Sequence, residues 1–116
     1  LIKRNVGNIA EIISKADIAF SNSGLTKYEL SAIGVPMIII SNTEQQAKHS
    51  KVFSESGNSF HLGYHLLVSE RAIVNAYNKL HDDFYQRSVM SDKGKKLIGR
   101  VNIKNIYREI EKGVQF

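Results

Sequence analysis

The chain has 116 residues, 42% of them hydrophobic, with no cysteine and a formal net charge of +5. That length suits a single domain over residues 1–116, the apolar content argues against disorder, and the missing cysteine excludes disulfides and thiolate metal sites. The basic excess points to an anionic partner, either nucleic acid or a phosphate-bearing small molecule.

The apolar periodicity changes several times along the chain. "VGNIAEIISKA" places Ile9, Ile12 and Ile13 on one helical face, with Val6 leading in. "DIAF" predicts a short buried strand. "LTKYELSAIG" predicts a helix that buries Leu25, Tyr28 and Leu30 to Ile33 and stops at Gly34. "VPMIII" is the clearest strand. Its unbroken apolar run suits a parallel strand covered on both faces, and Pro36 falls at its first residues, where no ladder hydrogen bond is lost.

"SNTEQQAKHSKVFSESG" begins as a loop and continues as a helix that buries Ala47, Val52 and Phe53 and ends at Gly57. "SFHLG" predicts a third strand. "VSERAIVNAYNKLHDD" predicts a helix capped by Ser69, with Ile73, Ala76, Tyr77 and Leu80 at helical spacing. "FYQRSVMSDKGKKLI" forms one further helix or two short ones. "NIKNIYREIEKG" closes the chain as an amphipathic helix, with Ile103, Ile106, Tyr107 and Ile110 on one side. This alternation predicts an α/β, Rossmann-like open parallel sheet with helices on both faces. Three strands and a leading helix make it the later part of a larger doubly wound domain or of a two-domain enzyme.

Ligands of open parallel sheets bind beyond the carboxyl ends of the strands, where "SNSG", "SNTEQQ" and "GYH" should meet. In the first loop, Gly24 accepts a positive φ or a close ligand. The amides of Leu25, Thr26 and Lys27 open the next helix and favour an anion, and Ser23 and Thr26 add hydroxyl donors. Ordinary helix capping accounts for such a loop as well. Glu29 lies one turn further, where a ribose diol can donate to it. In the second loop Asn42, Gln45 and Gln46, beside Glu44, offer amides for sugar hydroxyls or a pyrimidine edge. Capping by Asn42 or Thr43, with Glu44 and Gln46 behind, is the structural alternative. The four histidines, His49, His61, His65 and His81, show no metal-ligand spacing, so no metal is expected.

The segment "NIAEIISKADIAFSNSGLTKYELSAIGVPMIII" resembles the nucleotide-binding C-terminal domain of GT-B enzymes. The likeness is strongest to the PseG/SpsG-like group: the UDP-sugar hydrolase of pseudaminic acid synthesis and the spore coat polysaccharide biosynthesis proteins. It is carried by Ala16-Asp17, Gly24, Thr26 to Glu29 and Gly34 to Pro36, then by "NTEQQAKH", the "SG" that closes that helix, and Leu62-Gly63. The tail "RSVMSDKGKKLIGRVNIKNIYREI" extends the resemblance over nearly the whole chain. A more distant similarity in fold is to the peptidoglycan glycosyltransferase MurG.

The resemblance implies a nucleotide sugar, usually a UDP-sugar, with Ser23, Gly24, Leu25 and Thr26 at the diphosphate and Glu29 at the ribose. Asn42, Gln45 and Gln46 would lie near the sugar or phosphate. Two departures stand out. Gln45-Gln46 occupies the place of the hydrolase's Asn-Gln pair, whose Asn is tied to catalysis, and the tail reads "IGRVN" where "DG-x-G" is usual. The acceptor site and the hydrolase's candidate base would lie in an N-terminal domain, so this chain alone is expected to bind without turnover. No cofactor is expected.

No apolar run reaches the ~20 residues that span a bilayer, and no signal-peptide pattern opens the chain. Its start without methionine points to a trimmed or excised piece of a cytoplasmic protein. Much of the basic excess sits in "DKGKKLIGR" and "IKNIYREIEK", where a solvated helical surface explains it. No RNP-like motif or basic-aromatic stripe supports nucleic acid. The competing reading is a non-catalytic α/β interaction module that pairs with a partner or with itself as a homodimer, through its late helices or an exposed strand edge.

Overall fold

A computed structural model describes residues 2, 7 and 9–100 of the chain. Val6 and the expected closing helix with Ile103, Ile106, Tyr107 and Ile110 lie outside the described residues, as does the side chain of Ile9. The elements run α1 (Ile9–Ile13), β1 (Ala19–Ser21), α2 (Thr26–Ile33), β2 (Met37–Ser41), α3 (Glu44–Ser54), β3 (Ser59–Tyr64), a 3-10 turn (His65–Leu67), α4 (Glu70–His81) and α5 (Phe84–Arg100).

The three strands form a parallel sheet in the order β1-β2-β3. Each step to the next strand passes through one helix. Because β–helix–β crossovers share one hand, α2 and α3 fall on the same face. The side chains agree. Met37 and Ile39 pack with Leu30, Val35 and Phe53 beneath α2 and α3, while Ile38 packs with Ala76, Leu80 and Met90 beneath α4 and α5. Helices therefore cover both faces, and β2 is buried from both sides, as its unbroken apolar run requires.

Local chemistry explains the helix ends. Gly34 stops α2 in the left-handed region at φ 91°, its amide donating to the Leu30 and Ser31 carbonyls. The Ser69 hydroxyl accepts from the Ala72 amide at 3.1 Å and starts α4. β3 carries a bulge: Ile39 pairs with His61 but Ile40 pairs with Gly63, so Leu62 is the extra residue. Gly63 sits at φ 115°, a conformation that side chains rarely adopt.

Several expectations are corrected. Phe20 is 52% exposed, in the middle of a strand that pairs with β2 alone among the described residues, and its ring lies 6.3 Å from that of Tyr77. Val52 is exposed too, since the buried stripe of α3 runs through Ser50 and Phe53. Leu25 is exposed at the residue preceding α2, and Ala32 faces solvent. The stretch from Phe84 to Arg100 is one helix, and Gly94 within it permits close packing on α2.

Candidate functional site

The loop from Asn22 to Leu25 joins β1 to α2 beyond the strand ends. Asn22 bends it: its side-chain Oδ1 accepts from the Gly24 amide at 2.9 Å. Gly24 does not use a positive φ. A Cβ there would lie 2.9 Å from Asn22 Oδ1, so a larger residue would push aside the side chain that holds the Gly24 amide. Leu25 starts α2 in a helical conformation with no side-chain cap. Among the described residues the amides of Leu25 and Thr26 have no acceptor, so the positive end of α2 faces solvent uncapped.

Directly beneath this loop is Lys27, which is 0% exposed. Its ammonium donates to the Ser23 carbonyl at 3.1 Å and lies 5.2 Å from the Tyr28 ring centroid and 5.3 Å from that of Phe53. Those two rings meet edge to face. Electron-rich faces at that range attract a cation, most strongly out of water. The sequence reading credited Lys27 with its backbone amide alone. The missed signal was spacing: Lys27, Leu30 and Ser31 fall at i, i+3 and i+4, and they are the buried residues of α2.

A chain of hydroxyls runs beside Lys27 through the strand ends. Ser50 of α3 donates to Ser23 Oγ at 2.6 Å, Ser23 meets Ser41 Oγ of β2 at 2.5 Å, and Ser41 meets His61 Nε2 of β3 at 2.8 Å. Each hydroxyl carries one proton, so the chain closes with one proton per bond when His61 Nε2 is the final acceptor. The neutral imidazole this requires is favoured by burial first and by the Lys27 charge second, which together hold the His61 pKa below its ordinary value. The Ser23 hydroxyl, expected among the donors to a ligand, is thus wholly buried in an internal network.

Glu29 is exposed, about 200° around α2 from Lys27. Its carboxylate makes no hydrogen bond or ion pair among the described residues. In the second loop Thr43 is the cap: its Oγ1 accepts from the Gln46 amide, while Gln46 Oε1 accepts from the Asn42 amide, both at 3.1 Å. Gln46 therefore serves the turn, and Gln45 and the Asn42 side chain are exposed. Tyr28 Oη meets His49 Nε2 at 3.1 Å and ties α2 to α3. No three metal-ligating side chains come together among the described residues, and no helix of theirs is long and apolar enough to cross a membrane.

Residues 5–99 match the glycosyltransferase family 28 C-terminal domain. The chain belongs to that family. It is similar to the spore coat polysaccharide biosynthesis protein SpsG of Bacillus subtilis (strain 168), with 26% identity over 91 residues, 78% of this chain and 27% of that relative's length. No solved structure matches the chain. The three-stranded parallel sheet and its two helical layers are consistent with the C-terminal domain of a GT-B glycosyltransferase.

In this family 28 domain two hollows lie away from the loops just described. One is lined by Asn75, Asn78, Lys79, Asp82, Asp83 and Gln86 of α4 and α5, and another by Asp17, Ile18, Tyr77, His81 and Arg87 before β1. Neither gathers the α2 amides or Glu29. The carboxyl ends of β1 and β2 lead to uncapped α2 amides, the exposed Glu29 carboxylate and the exposed amide side chains of Asn42 and Gln45, with the buried Lys27 below.

Proposed function

We propose that this chain is the nucleotide-sugar-binding portion of a GT-B-type hydrolase or glycosyltransferase that acts on a UDP-sugar. The observation that carries this is the uncapped start of α2 at the carboxyl ends of a parallel sheet, inside a family 28 domain. Anions bind such helix ends through free amides and the helix dipole. In this reading the backbone of Gly24, Leu25 and Thr26 holds the diphosphate, Glu29 takes the ribose hydroxyls, and Asn42 and Gln45 reach toward the sugar. Ser23 contributes by fixing the loop from below. The pathway we infer is synthesis of a surface polysaccharide or a nonulosonate such as pseudaminic acid, in keeping with the name of the Bacillus relative. An N-terminal domain of the parent protein would supply the acceptor side and the catalytic base, in the cytoplasm.

The test is thermal. A ligand that binds only the folded state stabilises it, by about 2.7 kcal/mol at a hundred times its Kd. UDP should raise the Tm of the intact protein, and Glu29→Ala should weaken UDP binding by about 1–3 kcal/mol through loss of a charged hydrogen bond. Unchanged melting at saturating UDP, CMP and GDP would sink the reading.

A further inference from the structure

We propose that Lys27 is a positioning residue for the anion site: by holding the Ser23 carbonyl inward, its ammonium turns the Gly24 N–H outward, toward a ligand phosphate. This inference rests on the nucleotide-sugar reading above.

The argument begins with one peptide. The described residues contain no cis bond, and in a trans peptide the C=O and the following N–H point in opposite directions. The Ser23 carbonyl faces the interior, where it accepts from the fully buried Lys27 Nζ at 3.1 Å. The Gly24 N–H therefore faces the surface, where exposed Asn22 Oδ1 accepts it at 2.9 Å. Asn22 is a neutral stand-in for a phosphate oxygen. A charged phosphate makes a stronger bond to the same N–H and completes the row with the Leu25 and Thr26 amides.

Burying an ammonium is costly, and Leu30 shows that the same stripe of α2 accepts an apolar side chain. A lysine here gains a carbonyl contact and two aromatic faces that hold the charge below the loop. From there the charge also adds to the positive potential of the α2 start, through a medium that screens it less than water does.

The experiment compares UDP with uridine, which lacks the phosphates, on the intact protein and its Lys27→Met variant. Met fills the apolar stripe without the charge. UDP affinity should fall about tenfold or more while uridine affinity changes by less than about twofold. Equal weakening of both ligands, or of neither, overturns the proposal, because a lysine that merely fills space does not distinguish them. If the wild-type protein binds no UDP, the nucleotide-sugar reading itself fails. If it binds and Lys27→Met binds equally well, only the role of Lys27 fails. Should the variant not fold, NMR of selectively labelled glycine amides in the wild type decides. UDP, and not uridine, should move the Gly24 resonance, and a Gly24 amide that UDP leaves unmoved overturns the proposal.

Discussion

His61 shows how a single side chain reports on its surroundings. Its ring is half-buried, ends the hydroxyl chain from Ser50, and has its pKa lowered by burial and by Lys27. The unfolded chain gains a proton near the usual imidazole value of about 6.5, and the folded chain does so only at lower pH. Between those two values the unfolded state holds more protons, so stability rises with pH there. The contribution is complete above the unfolded value, declines as pH falls through the window, and levels off below the folded value. Urea midpoints at neutral and mildly acidic pH should show this loss, and His61→Gln, which keeps an acceptor, should reduce it. An equal loss in both proteins would assign the titration elsewhere. Lys27 was the residue least legible in the sequence. A lysine on a buried stripe contradicts the general preference of that side chain for water, so hydrophobic patterning counts it as surface even when its spacing places it inside.

At the scale of elements, the glycines of α5 separate two effects. Gly94 lies against α2, and a Cβ there would sit 3.2 Å from the Ser31 carbonyl oxygen and 3.3 Å from its Cα. That neighbour is main chain and yields little. Gly99 is in the same helix, with nothing within 4 Å of its would-be Cβ. Alanine gains about 1 kcal/mol of helix propensity at either position. At Gly94, crowding of about 1–3 kcal/mol opposes it. Thermal denaturation should therefore find Gly99→Ala stabilising and Gly94→Ala destabilising, and a stabilised Gly94→Ala would show that α5 can draw away from α2 freely. The same glycine explains why the sequence left one helix or two open over residues 84–100. A helix-interior glycine reads as a break until the backbone approach that requires it is seen. The remaining helices and the strands were legible because Gly34, Gly57, Thr43 and Ser69 punctuate them with chemistry that acts locally.

For the whole molecule, the sheet was legible from alternation alone, while the inner wiring of the site was not. Patterning placed the loops after β1 and β2 at the strand ends, while "GYH" falls largely within β3, which runs to Tyr64. Ser23, Ser41, Ser50 and His61 come from separate segments and share no spacing that would link them. Among the described residues, β1 and β3 are each paired on one side only, and Phe20 of β1 is exposed, the observation that most favours the interaction-module reading. A lysine on an edge strand discourages pairing with another chain. Phe20→Lys should thus reduce self-association of this 116-residue chain in sedimentation, at a stability cost of about 0.5–1.5 kcal/mol for the contact with Tyr77. Unaltered sedimentation would show that the edge is not sticky.

The bulge in β3 means that this strand holds one residue more than its ladder needs. Replacing Gly63 by valine puts a branched side chain where φ is 115°, a strain of about 1–3 kcal/mol. Cutting Gly63 out instead would let Leu62 face Ile40 in an unbroken ladder, with Tyr64 still opposite Ser41 as it is now. A deletion at this bulge keeps the downstream register of β3, so removing Gly63 should cost less stability than Gly63→Val, as the urea midpoints of the two variants would show.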